Sequence, residues 1–383
     1  MSAGTTTIPV ASPSIVGADA AFRSRSTQTS LVNRRDLTPP ERQVLEQHAF
    51  DFACVPESYD IAISDGHLLR SPCGSGMASV LADRNFWHMA GGLLAPQESK
   101  PEMIRWLYSV STEQRKTIAV YNVSKTDAVK FRDAGFVVNK FGEEPVLNPR
   151  DMTWSGKPFE WVRRQANFCV RSGIEISEIT DSQQQVAIGA TLVDIMEEDL
   201  AGRTFDKPLR LLEGEFDPHS LLRRRLFVAH DREGRVEAFL ACSPIDGGRS
   251  WAFETYRKRK NATRGVTAYL FKTVIDTLRD EDVEQVSLCL VPGRNVRESP
   301  LGNDDWKIEK VLSLWYSQLD FIFNAKGQDH FKSRFRPRYT DRYLCVAPAN
   351  SVASLWSFLK TTGATQCNWR NLSRHFRSSL FQR

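Results

Sequence analysis

The stretch that decides the fold runs from LFVAH (226–230) through DREG (231–234), RVEAFLAC (235–242), IDGG (245–248) and RSWAFETY (249–256) to RKRKNATRG (257–265). Apolar runs separated by Gly- and Asp-bearing turns predict three antiparallel strands in a meander. The basic loop 257–265 then opens an amphipathic helix over 266–279, and VEQVSLCL (283–290) reads as a buried strand. A loop rich in Arg, Asn and Gly at a helix start presents backbone N–H groups and positive charge, which suits a phosphate ligand.

Working outward, the chain alternates in the same style. Strands are expected at 59–63 and 86–94, a helix at 98–114, a strand at 117–121, a short helix at 125–133 and a strand over FVVNKF. A helix at 158–171 stops at Gly173 and leads into IEISEI (174–179); further helices are expected near 182–198 and 304–322. The fold class is therefore α/β. The organisation read from it is a disordered tail at 1–35, one α/β unit at 36–172, a second at 173–348, and a basic amphipathic appendage at 349–383. At 383 residues and 41% hydrophobic content the chain can fill two cores. No run approaches the ~18 apolar residues of a membrane span.

Seven scattered cysteines lack the paired spacing of a zinc site and suit a reducing compartment. With no HExxH, Walker loop or nucleophile elbow, a metal-free enzyme is expected, and GSGMAS (74–79) is too short for a dinucleotide fingerprint. The net charge of +5 matters through its distribution. Clusters at 223–225, 257–264 and 332–342, and a stretch at 351–383 with five cations and no acid, point to a polyanionic partner, nucleic acid or anionic lipid. The apolar spacings at Leu355, Trp356, Phe358 and Leu359, then Trp369, Leu372 and Phe376, suit a docked helix or a membrane-surface one.

The order of meander, phosphate loop, helix and strand resembles GNAT-type acyltransferases. Five segments sharpen the resemblance: DAGFVVNKFGEEPVLNP (133–149), WSGKPFEWVRRQANFCVRSGIEI (154–176), WAFETYRKRKNATRGVTAYLF (251–271), VSLCLVP (286–292) and HFKSRFRPRYTDRYLCVAP (330–348). Together they resemble the C-terminal catalytic domain of phosphatidylglycerol lysyltransferases, the multiple peptide resistance factor family, without its transmembrane flippase part. That resemblance implies two tandem GNAT-like domains with mixed sheets. It implies transfer of an amino acid from aminoacyl-tRNA, a co-substrate in place of a cofactor, to a lipid hydroxyl by a cytoplasmic protein in peripheral contact with a membrane.

The resemblance also assigns residues. Glu254 and Arg257 fall where the family has an essential Asp and Arg, and are expected to be catalytic. Lys157, Arg163 and Asn167 match the family's inter-domain helix, and Arg264 and Gly265 its phosphate loop. Lys332, Phe335, Arg342 and Tyr343 match the final segment and are expected at the substrate. Tyr339 and Asp341 stand where the family commonly has Trp and Pro. Two other readings are an acetyl-CoA-dependent GNAT enzyme, disfavoured by the single glycine of NATRGVT, and a non-catalytic tRNA- or lipid-binding double GNAT scaffold.

Overall fold

A computed structural model describes residues 31–205, 207–211, 213–318, 325–366 and 368. Most of the expected tail, and Trp369, Leu372 and Phe376 of the appendage, lie outside the described residues.

The first half begins with β1 (Val32–Asn33) and α1 (Pro39–Phe52), whose capping box pairs Thr38 with Glu41. A meander of β2 (His67–Arg70), β3 (Met77–Asp83) and β4 (Phe86–Met89) follows, then α2 (Lys100–Glu113) and β5 (Thr117–Ser124). Ser124 caps α3 (Lys125–Asp133), and β6 (Val137–Leu147) completes the half. The second half starts with α4 (Glu160–Arg171), β7 (Glu175–Ile179) and α5 (Ser182–Ala201). It repeats the theme with β8 (Arg225–His230), β9 (Val236–Ile245), β10 (Ser250–Lys258), α6 (Val266–Asp280) and β11 (Gln285–Ser287). It ends in β12 (Val291–Pro292), α7 (Trp306–Gln318), α8 (Ala325–Ser333), β13 (Arg338–Ala347) and α9 (Val352–Thr362).

Two expectations fail. Residues 59–63 are not a strand: Pro56–Ala62 form 3-10 turns, because Pro56 sits at the first helical position and Ser58 Oγ accepts the N–H groups of Cys54 and Val55. The strand expected over 86–94 stops at Met89, since Gly91 and Gly92 take positive φ. β2 and β3 were not anticipated; each side of the SPCGSG turn offers too short an alternation to stand out.

Each half is thus an antiparallel meander followed by a helix and a parallel strand: β4 pairs β5 in parallel and β10 pairs β11 likewise. This is the tandem GNAT-like arrangement, carried in one continuous sheet of order β1-β2-β3-β4-β5-β13-β6-β11-β10-β9-β8-β7. The halves exchange strands at the centre. β13, late in the chain, lies between β5 and β6, while β6 pairs β11 and β12 of the second half.

Strand alternation sends side chains to two faces. On one face α2 and α3 cover Ile118, Val120 and Val138, and α4 and α6 cover Leu240, Cys242 and Phe253. On the other, α5 covers Val228 and Phe239, while α7 and α9 cover Tyr121, Phe141 and Leu344.

Gly142 holds the seam. A Cβ there would meet Val291 O at 2.3 Å, so only glycine lets β12 close on β6. Gly142→Ala is expected to lower stability by about 3 kcal/mol, the range of overpacking at backbone; an unchanged urea midpoint would refute this.

Candidate active site

β10 leaves the ladder where function is expected. It pairs β11 only over 250–252, and its register with β9 slips between Phe253 and Thr255, so Glu254 stands on a bulge. β11 diverges in turn because Cys289 takes φ 64 and its N–H turns to Ser287 Oγ (3.0 Å). The two strands splay, and the 3-10 segment 56–62 of the first half packs against the second half beside the opening.

Three side chains meet there. Arg224, almost fully buried, donates through Nη2 to Asp60 Oδ1 (2.7 Å) and through Nε to Ser243 Oγ (2.9 Å), and lies 3.8 Å from Glu254 Oε2. Ser243 donates to Glu254. Glu254 and Asp60 meet around the Arg224 guanidinium, and one carboxylate so placed raises the other. Burial, then the Glu254 charge, holds Asp60 well above the carboxylate range; burial also raises Glu254, against Arg224. Glu57, one 3-10 turn before Asp60, is pushed up to about 7 by burial and then by Glu254, with Asn122 Nδ2 donating to it. Asn122 holds φ 56 inside β5 and is buried, and its Oδ1, like Arg224 Nη1, has no hydrogen-bond partner among the described residues.

Arg257 opens on the same side, yet as a caged cation. Its Nη2 donates to Glu213 (2.8 Å), its Nε lies 3.5 Å from Asp199, and its Nη1 bonds the Tyr256 carbonyl (2.9 Å). Burial lowers its pKa. The segment between α5 and β8 covers both residues: a Cβ on Gly214 would strike Glu254 Cγ at 2.0 Å, and Glu215 N–H donates to Asp60 Oδ2 (3.1 Å).

Glu144 accepts from Arg342 (2.5 Å), and this pair borders a polar cavity of about 420 Å³ at the seam, lined also by Cys54, Ser124, Ile245 and Ser287. Both residues act electrostatically on the Glu57 side of the cluster. Such a volume admits a substrate headgroup or a short aminoacyl ester.

Residues 57–346 match the family model described as phosphatidylglycerol lysyltransferase, C-terminal. The chain belongs to this family. It is 22% identical over 289 residues to the lysylphosphatidylglycerol biosynthesis bifunctional protein LysX of Rhodococcus opacus, covering 73% of this chain and 25% of that protein. It is also 22% identical over 279 residues to a phosphatidylglycerol lysyltransferase of Staphylococcus xylosus, covering 72% and 32%. The chain spans about a quarter to a third of the length of these curated relatives. The solved structure of L-PGS from Bacillus licheniformis superposes with a TM-score of 0.72 at 19% identity, over 88% of this chain and 99% of that one.

Against the family pattern, the expected residues separate. Glu254, Arg257 and Arg342 share the carboxyl-rich face. Lys332 reaches the opening from α8; it is buried, its Nζ bonds the carbonyls of Cys289 (3.0 Å) and Leu290 (3.4 Å), and burial lowers its pKa. Phe335 is fully buried among Trp154, Phe271 and Phe331. Tyr343, the residue after Arg342, turns to the opposite face and packs in the first half's core. Both aromatics are core side chains rather than a substrate wall.

Lys157, Arg163 and Asn167 belong to α4 and its approach, on the face away from Glu254. Arg163 ties the carbonyls of Trp154 and Gly156 (2.6 and 2.7 Å), while Lys157 and Asn167 are exposed. The phosphate cradle expected at 257–265 is closed. Lys260 N–H donates to Glu198 (2.8 Å) and Thr263 N–H to Glu237 (2.7 Å), so carboxylates sit where a phosphate was expected. Gly265, at φ 85, serves packing, since a Cβ would meet Gln165 at 2.5 Å. Arg264 is exposed.

The sequence reading missed Glu57, Asp60, Asn122, Arg224 and Ser243. Only Glu144 carried a signal, in the GEE motif (142–144).

Two measurements probe this cluster. Glu57 titrates higher folded than unfolded, so its penalty is absent below the ordinary value of 4.5, grows as pH rises to about 7, and is constant above. Glu57→Gln should therefore stabilise the protein at pH 8, by roughly 3 kcal/mol at most, with the gain fading toward pH 4.5. Equal urea midpoints at both pH values would contradict it. Arg257→Ala leaves Asp199 and Glu213 with Arg203 as their remaining partner and should cost about 1 kcal/mol; a wild-type melting temperature would show that the cage is unimportant.

Proposed function

We propose that this chain moves an aminoacyl group from the 3′ end of a tRNA to the hydroxyl of a membrane lipid. The observation that carries the reading is the buried Asp60–Glu254–Arg224 cluster, with Glu57 beside it, at the splayed strands where the two halves meet.

In such a transfer the lipid hydroxyl oxygen attacks the ester carbonyl and loses its proton, and the tetrahedral oxyanion collapses. The ribose oxygen leaves with a proton, so one ester replaces another without net redox change. A carboxyl poised near 7 can take the hydroxyl proton and return it to the leaving oxygen, which is the role we give Glu57. The unpartnered Arg224 Nη1 is the donor placed for the oxyanion. The Asp60–Glu254 pair holds the substrate's α-ammonium. The Glu254 side chain fits because Gly214 leaves room for its extra methylene relative to Asp.

The closed loop at 257–265 speaks against acetyl-CoA, whose diphosphate would face Glu198 and Glu237. Exposed Lys157, Arg164, Arg264, Arg336 and Arg338 offer phosphate contacts to a tRNA. The reaction needs no metal in this scheme, and it places the protein on the cytoplasmic side of a membrane.

Purified protein given labelled aminoacyl-tRNAs and total lipid should yield a chloroform-soluble aminoacyl product. Glu57→Gln should lower the rate by about 100-fold or more, and Glu254→Gln and Asp60→Asn should each raise the KM for the aminoacyl-tRNA. No product with any aminoacyl-tRNA would overturn the reading, and salt-sensitive tRNA binding without product would assign a binding role instead.

A further inference from the structure

α7 breaks the usual rule for a surface helix, which is to turn charge outward and one apolar stripe inward. Its inner side, Leu312 with Ile308 and Trp315, packs on the core formed by Tyr121, Phe141 and Leu344. Its outer side is apolar as well: Trp306 is 65% exposed, Leu314 54% and Val311 40%. Trp306 and Leu314 share one stripe through Lys310 at steps of four, and Val311 flanks it one step of four beyond Lys307. The other members of the stripe are Lys307 and Lys310, both exposed, with Lys310 Nζ 5.8 Å from the centre of the Trp306 ring. The helix's one acid, Glu309, turns to Asn303 (3.0 Å).

α9 repeats the pattern. Its inner side is fixed: Ser357 bonds His88 (3.0 Å) and Asp83 (3.1 Å), and Phe358 stacks on Tyr121 at 4.7 Å. Its outer stripe is Val352 (87% exposed), Trp356 (62%) and Lys360, and the helix holds no acid. Lys360 reaches back to Asp83 (2.8 Å). Both helices pack into one core on the same face of the sheet. Together they hold five of the ten large apolar side chains exposed among the described residues.

We propose that α7 and α9 form the surface by which the protein docks on an anionic membrane leaflet. Trp306 and Trp356 sit at headgroup depth, Val311, Leu314 and Val352 enter the acyl boundary, and Lys307 and Lys310 meet lipid phosphates. A tryptophan ring has an apolar body and a polar edge, which suits that depth. Lys307 and Lys310 make the α7 stripe complementary to an anionic lipid surface, since Asp304 before it pairs with Arg132 and Asp305 accepts from the Lys307 N–H. The face also abuts the reaction centre. Arg210 N–H donates to Thr362 O at the end of α9 (3.1 Å), and Leu211 packs on the same core. Arg210 and Leu211 belong to the segment whose Gly214 covers Glu254. A lipid drawn from a docked leaflet would therefore meet the cover of the site rather than the far side of the sheet. This inference deepens the acyl-transfer reading but stands apart from it, because docking needs no chemistry.

The test is co-sedimentation of the full chain with vesicles of phosphatidylcholine alone or with about a third phosphatidylglycerol, beside an assay on detergent-dispersed acceptor lipid. Wild type should bind the anionic vesicles. Trp306→Ala with Trp356→Ala, and separately Lys307→Glu with Lys310→Glu, should weaken binding at least about tenfold, with unchanged melting temperatures. The same variants should lose transfer on vesicles yet keep wild-type transfer in detergent. Wild-type partition in both variants overturns the docking face. So does a dimer in solution that the tryptophan variant makes monomeric, which would give the face to a second copy. Vesicle binding that the variants weaken, with no transfer by wild type in either medium, upholds the docking face and defeats the acyl-transfer reading alone.

Discussion

The Arg224 guanidinium is the tie on which the site depends. It bonds Asp60 from the first half and lies against Glu254 from the second, with Ser243 bridging the pair. Buried carboxyls repel one another and lose hydration, and a single cation placed between them is what keeps them together. The cost is visible in the raised carboxyls of Asp60, Glu254 and Glu57, the last of them pushed up to about 7. A group that only stabilised the fold would be better served by apolar packing of the same volume.

The exchange of β6 and β13 is what brings these groups within reach. Two GNAT-like halves joined by a linker could rock against each other. Here each half's sheet is completed by a strand of the other, and Gly142 lets β12 lie against β6 at the centre of the seam. The splay between β10 and β11 then opens beside the strand pair that carries Glu144 and Arg342. Lys332, from the other face, caps the carbonyls that the splay leaves unpaired.

Much of this fold could be read from the sequence, because local chemistry and tertiary structure agreed. The meander 226–256 has turns with Gly and Asp at the right places, and α3 runs from Ser124 to Ala134 as its cap and the Gly135 stop dictate. Where they disagreed, packing won: the apolar letters of 59–63 serve 3-10 turns that aim Glu57 and Asp60 inward. The site was harder to read because its partners lie far apart in the chain. Asp60, Arg224 and Glu254 share no motif, and each looks like an ordinary surface charge in its own segment. The resemblance located the splayed strand that bears Glu254 and Arg257 but not the acids that surround them.

Runs of charge proved the least informative signal, and Arg223, Arg224 and Arg225 show why. Neighbouring side chains entering a strand leave it in different directions. Arg223 lies over the Phe50 ring at 4.3 Å and pairs with Glu46; Arg224 enters the carboxyl cluster; Arg225 is held by Glu178 (2.6 Å) and Glu281 (2.5 Å). A triplet that reads as a polyanion-binding patch is spent on five ion pairs within the chain. The same holds for Arg257 and Arg259, which answer Glu213 and Glu198. Charge available to a partner must therefore be sought on helix faces whose acids are absent or turned away, as on α7. There the cations come with an exposed aromatic ring, a combination that phosphate contact alone does not call for and that a lipid headgroup layer does.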